Sequence, residues 1–194
     1  MLDWRDVWRV AVHIGRALQA GHRRRIIHRN LTPTSILRRH ADGGCLLGDL
    51  LLAKALEGTQ ARPITQPGQL LGDVAYMAPE RTVDESLADE RSDLYGLGAT
   101  LYALLTGRPP FEADSLPELL RRVREDQPAP PRTFQLAVDE MFEGLVLTLL
   151  AKRPSERCGT AGDLLRELDR IGAYANLSAD EAGRAGTAQA SPAS

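Results

Sequence analysis

The sequence predicts a mainly α-helical fold with one small β-hairpin. Three observations carry this. Trp4, Val7, Ala11, Ile14 and Leu18 recur at the spacing of one helix face. The stretch from Ser92 to Thr106 is apolar almost all round, through Leu94, Tyr95, Leu97, Leu101, Tyr102, Leu104 and Leu105. Such a helix belongs at the centre of a domain. Two short apolar pieces, Ile36-Leu37 and Cys45-Leu46-Leu47, flank Asp42-Gly43-Gly44, and Asp-Gly suits the positive φ angles of a tight hairpin turn.

The elements follow in order. A first helix runs from Trp4 to Arg24, with Asp3 as its cap and Asp6 in its first turn. The run His22-Arg23-Arg24-Arg25 at its end reads as a solvated helix terminus, where cations suit the dipole; a basic binding patch is the sharper alternative. After the hairpin, residues 51–76 have no sustained period and are punctuated by Gly58, Pro63, Pro67, Gly68 and Gly72, which predicts a long functional loop. The central helix stops at Gly107 and Pro109. Ser115-Leu-Pro-Glu118 reads as a capping-box start of a short helix to about Arg124, followed by a Pro-rich loop from Gln127 to Arg132. Val138, Met141, Phe142, Leu145, Val146 and Leu149 define another core-facing helix. Thr160 with Asp163 begins a last one, carrying Leu164, Leu165, Leu168 and Ile171, with Gly172 at its end. Residues 1–175 form one domain in this reading, and 176–194, rich in Ala, Gly and Ser, a disordered tail.

Composition narrows the function. The 194 residues carry a net charge of −2, which argues against a nucleic-acid partner. No apolar run approaches the roughly 20 residues of a membrane span, and no apolar signal core begins the chain, so the cytoplasm is the expected compartment. Cys45 and Cys158 lack metal-ligand spacing and are expected as buried reduced thiols. Only Lys54 and Lys152 are lysines.

Four blocks carry chemistry. They are Ile26-Ile27-His28-Arg29-Asn30-Leu31-Thr32-Pro33-Thr34-Ser35-Ile36-Leu37; Leu47-Gly48-Asp49-Leu50-Leu51-Leu52-Ala53-Lys54; Gly72-Asp73-Val74-Ala75-Tyr76-Met77-Ala78-Pro79-Glu80; and Arg91-Ser92-Asp93-Leu94-Tyr95-Gly96-Leu97-Gly98, followed by Leu105 to Phe111. In this order the chain resembles the C-terminal lobe of bacterial-type Ser/Thr protein kinases, over roughly residues 4–172. The blocks look like the catalytic loop, the Asp-Phe-Gly segment, the Ala-Pro-Glu end of the activation loop and the helix behind them. The resemblance implies a kinase-like C-lobe fold without its β-rich small lobe. It also implies that Glu80 pairs with Arg157, that Asp93 accepts backbone N–H groups of the catalytic loop, and that His28 is structural.

The chemical positions depart from the family's pattern. Asn30 stands where the family has its catalytic Asp, and an amide is neither base nor anion; loss of a general base typically costs about 10²–10⁴ in rate. Thr32 replaces the phosphate-contacting Lys, and Ser35 replaces the metal-ligating Asn. Asp49, the other metal carboxylate, is kept, but Leu50 and Leu51 follow it instead of Phe and Gly. Asp73 replaces a Thr. No Gly-rich phosphate loop and no candidate for the small lobe's lysine are present in this sequence. Arg29 is retained, with Thr59 and Thr65 as candidate phosphorylation sites. No cofactor is expected, and Mg-ATP only through residual binding at Asp49.

The expected function is a non-catalytic pseudokinase-type binding or scaffold module. Its protein partner is expected at an apolar interlobe face near Trp4, Ile36, Leu37, Leu46 and Leu50, or at region 115–132. The alternatives are a Ser/Thr kinase whose small lobe lies outside this sequence, and a non-functional truncated remnant.

Overall fold

A computed structural model describes residues 1–39, 43–49 and 72–179. Helix α1 spans Trp4–His22 and is capped by Asp3, whose side chain accepts from Arg5 N. A 3₁₀ turn at Pro33–Ser35 leads into β1 (Ile36–Arg38), which pairs antiparallel with β2 (Cys45–Leu47). Helix α2 is Glu90–Thr106, α3 Leu116–Glu125, α4 Glu140–Leu149 and α5 Ala161–Ala175.

Helix α2 is the hub, as its all-round apolarity predicts. It packs against both α1 and α4, and α1 also packs along α5. Asp89 caps it by accepting from Arg91 N and Ser92 N, and Gly107 ends it at φ 77, a conformation costly for any residue with a Cβ. Tyr95, Leu97, Leu101, Tyr102 and Leu105 are fully enclosed. A second, smaller core joins Val74, Ala75 and Phe111 to Leu119 and Val123 of α3. Among the described residues no helix is long and apolar enough to cross a membrane.

Several expectations are corrected. The hairpin forms and Gly43 takes the positive φ expected of it, 68°, but the register Arg38↔Cys45 leaves residues 39–44 in the connection, longer than a tight turn, with Arg39 N on Gly44 O at 2.8 Å; Asp42 lies outside the described residues. Ser115 makes no side-chain cap, and the Glu118 carboxylate, the other half of the expected box, turns to Arg121 and Arg122. Cys45 and Cys158 are free but only half-buried. Gly172 lies inside α5 rather than at its end. Asn176, in the left-handed conformation, is the C-cap, and Leu177 N returns to Gly172 O at 2.8 Å. Leu177 and Ala179 pack on the core, so the expected tail loses its first four residues to the body; 180–194 lie outside the described residues, as do most of the predicted loop 51–76.

Gly172 has a packing reason. A Cβ there would sit 2.5 Å from Trp8 Cζ2, whose indole Nε1–H donates to Leu168 O at 3.0 Å. Gly172→Ala is expected to overpack this contact and cost about 1–3 kcal/mol. Gly144→Ala, whose added methyl meets nothing within 4 Å, gains helix propensity and should raise the melting temperature by about 2–4 °C. Thermal melts of the two variants check this; equal effects would refute the close-approach reading of Gly172.

Candidate functional site

The site begins with Asp93, near the start of α2, whose side chain is wholly buried. A buried carboxylate requires donors, and the chain supplies three. His28 N donates to Oδ2 at 2.8 Å and Arg29 N to Oδ1 at 2.7 Å. His22 Nε2 lies 2.9 Å from Oδ2 and, against an acceptor, carries the proton there. The loop after α1 is thereby tied to the central helix.

That loop is further locked from its other side. His28 is buried, and its Nε2–H donates to Gly48 O at 2.8 Å; Gly48 N returns to Ser35 O at 2.7 Å. Arg81 donates from Nη1 to Arg29 O and from Nη2 to Glu85. Arg29 and Asp49 take positive φ, 68° and 60°, a conformation that costs non-glycine residues of order 1–2 kcal/mol and that the surrounding bonds must hold.

The positions read as chemical are placed as follows. Asn30 is exposed, and its N bonds His28 O at 2.9 Å. It shares a cleft with Asp73, Tyr76 and Arg81 that encloses only about 10 Å³. Burial pushes the Asp73 carboxyl above its ordinary range. Ser35 is 1% exposed, and its hydroxyl is committed both ways: it accepts from Thr32 N at 3.1 Å and donates to Thr32 O at 2.7 Å. Thr32 is buried with its hydroxyl on that of Thr34 at 2.8 Å. Asp49 is exposed. Thr59, Thr65, Leu50, Leu51 and Lys54 lie outside the described residues.

The donor set that a metal-nucleotide group would meet is mostly uncharged. The Ser35 hydroxyl has its proton and one lone pair engaged with Thr32, and Asn30 and Thr32 bring no charge. Asp49 is kept as an exposed carboxylate, and among the described residues no group of three or more His, Cys, Asp or Glu could hold a metal ion.

Behind the site, Glu80 meets Arg157 in a two-pronged pair. Arg157 Nη1 donates to Glu80 Oε1 and Nη2 to Oε2, each at 2.8 Å, and Ser92 Oγ donates to Oε1 at 2.8 Å. Burial pushes the Glu80 carboxyl up, but the Arg157 hydrogen bonds and charge outweigh it and hold it below the usual range.

The expected interlobe patch is only partly realised. Trp4 is 5% exposed and stacks 6.0 Å from Phe142, so it belongs to the core, as its place in the α1 periodicity requires. Leu37 and Leu46, paired across the hairpin, are 57% and 47% exposed, and Ile36 is half-buried. In region 115–132, Arg124 donates to Thr82 O at 2.6 Å, tying α3 to the segment 79–87 with its exposed Val83 and Leu87.

Two site residues escaped the sequence reading. His22 is buried against Asp93 and not solvated; its position four residues after Leu18 on the apolar face was the available signal. Arg81 gave no signal, since its partner is a backbone carbonyl 52 positions away.

This geometry agrees with a match of residues 1–167 to the protein kinase domain model. The chain belongs to the protein kinase domain family. It is similar to a probable serine/threonine-protein kinase of Corynebacterium efficiens, 33% identical over 166 residues, covering 84% of this chain and 25% of that protein. It is 36% identical over 156 residues to the serine/threonine-protein kinase PknB of Mycolicibacterium smegmatis, covering 80% and 24%, and 35% identical over the same length to PknB of Mycobacterium tuberculosis. The chain thus spans about a quarter of the length of the curated relatives it matches. Within the family its placement is that of a bacterial-type Ser/Thr kinase fold, mostly helical with a two-stranded sheet.

Proposed function

We propose that this chain is a pseudokinase-type module that corresponds to the C-terminal lobe and works by binding a protein rather than by transferring phosphate. The observation that carries the reading is the closed Thr32–Ser35 hydrogen-bond ring beside Asn30. Phosphoryl transfer is mostly positioning and charge neutralisation. Here the base position holds an amide, the phosphate-contacting position a buried neutral hydroxyl, and the metal position a buried hydroxyl whose proton and one lone pair are held by the Thr32 backbone. The anchoring bonds through Asp93 and the Glu80–Arg157 pair are kept, which preserves the fold as a scaffold.

A second reading, an active Ser/Thr kinase completed by chain outside this sequence, is favoured by the 33–36% identity to named kinases. A thermal-shift titration with ATP and Mg²⁺ separates the two. Nucleotide at about 100 times its dissociation constant would add roughly 2.7 kcal/mol, a rise of about 5–10 °C. The binding-module reading expects no rise. A rise that disappears in Asp49→Ala would overturn it, and phosphate transfer to a Ser/Thr substrate would then be measured directly.

A further inference from the structure

The run Arg23-Arg24-Arg25 remains unexplained by the site. Several helical arginines sit beside carboxylates one turn away, as Arg9 with Asp6 and Arg170 with Glu167. Among the described residues Arg23, Arg24 and Arg25 are exposed and have no such partner; Arg24 donates only to Ala20 O, at 3.0 Å.

Backbone geometry sharpens the point. Ile26 N bonds Gly21 O at 3.0 Å and Arg25 N bonds His22 O at 2.8 Å, the paired bonds of a helix end whose left-handed residue is usually glycine. That residue is Arg25, at φ 57. An arginine therefore occupies a position that glycine would take without strain. Strain at an exposed residue, where no packing demands the side chain, is a reason to seek a use for that side chain.

A cavity adjoins the run. It encloses about 250 Å³ and is lined chiefly by Ala17, Leu18, Ile26 and Leu47, with Arg24 and His28 as its polar members. This is below the roughly 300–1,000 Å³ of a small-molecule site and suits one or two apolar side chains. A cationic run without counter-charges beside an apolar socket complements a short chain with the opposite features. We propose that the end of α1 is a docking site for an acidic peptide segment bearing one apolar anchor residue, the anchor in the cavity and its flanking carboxylates on Arg23, Arg24 and Arg25. The chain's net charge of −2 disfavours a nucleic acid as the occupant. This rests on the reading that the chain acts by binding a protein.

The test is fluorescence polarisation of the folded chain with a fluorescein-labelled peptide of glutamates and aspartates around a central leucine. Saturable binding is expected, at least fivefold weaker when the leucine is serine. Arg23→Glu with Arg24→Glu should weaken it at least tenfold. Ala20→Trp, at the exposed edge of the socket, should abolish the preference for leucine. Arg25→Gly supplies the readout that a merely structural arginine would not give: the melting temperature rises by about 2–4 °C as strain is relieved, while binding weakens. Binding unchanged by the arginine variants, absent up to millimolar chain, or equalled by a lysine-rich peptide or a uridine-rich RNA of matching charge overturns the proposal. The nucleotide titration is unaffected by these variants, so failure here and failure of the binding-module reading are told apart.

Discussion

Arg157→Leu is expected to lower the unfolding free energy by about 3–5 kcal/mol, the cost of breaking a buried ion pair from one side. All five guanidinium N–H groups are used. Besides the two bonds to Glu80, Nε donates to Ala151 O at 2.9 Å, Nη1 to Arg91 O at 3.0 Å and Nη2 to Lys152 O at 3.2 Å. The plane lies over the Tyr95 ring at 4.9 Å. Leucine would fill part of the volume but leave the Glu80 carboxylate and three carbonyls without their donor. Arg157→Lys is expected to be nearly as damaging, because a point charge cannot reproduce the fork. Urea unfolding measures both, with Arg153→Leu as control: that side chain is exposed, and its loss should stay within about 0.5 kcal/mol. A pH series adds the sign. The Glu80 pKa is lowered in the folded state, so its contribution is full above the unfolded carboxyl value and lost as pH falls through the folded one. Wild type should lose more stability than Arg157→Leu on acidification below that unfolded value. Parallel curves would remove the pair from the stability account.

Asp93→Ala is expected to be comparably severe, at about 3–5 kcal/mol, but with a local signature. Hydrogen bonds to a charged group contribute about 1.5–3 kcal/mol each, and Asp93 accepts three. Its loss frees the N–H groups of His28 and Arg29 and removes the restraint that holds Arg29 at positive φ. Hydrogen exchange at those two amides should accelerate by at least about 100-fold, well beyond the change in the α4 amides. His22→Phe should share part of the effect, and the double variant should cost less than the sum, since both act through one carboxylate. Additive costs, or exchange at residues 28 and 29 no faster than elsewhere, would show that the loop is held by Arg81 and Gly48 instead.

The sequence carried most of the fold because its signals are local and periodic. The α1 stripe, the all-round apolarity of α2, the Thr160–Asp163 cap and the left-handed Gly107 each depend on residues within one or two turns. The resemblance implied a Glu80–Arg157 pair and an Asp93 that accepts catalytic-loop N–H groups, and gave no distances for either. Three outcomes share one cause. Ser115 was read as a capping box, but nearby arginines hold Glu118. Gly172 was read as a stop, but Trp8, distant in sequence, needs its missing side chain. Trp4 marks both the apolar stripe of α1 and the neighbourhood of the expected partner face, and Phe142 beside it places it in the core.

By itself the sequence determined the helical order, the kinase-family blocks and the uncharged side chains at positions 30, 32 and 35, because side-chain type and short-range spacing fix these. Only the tertiary structure decided that the Ser35 hydroxyl is bonded to Thr32, that His22 is a buried donor to Asp93, and that Arg25 is held in a strained turn beside an apolar socket. Hydrogen-bond direction, burial and backbone sign depend on which distant groups arrive within about 3 Å, and no local pattern of residues encodes that.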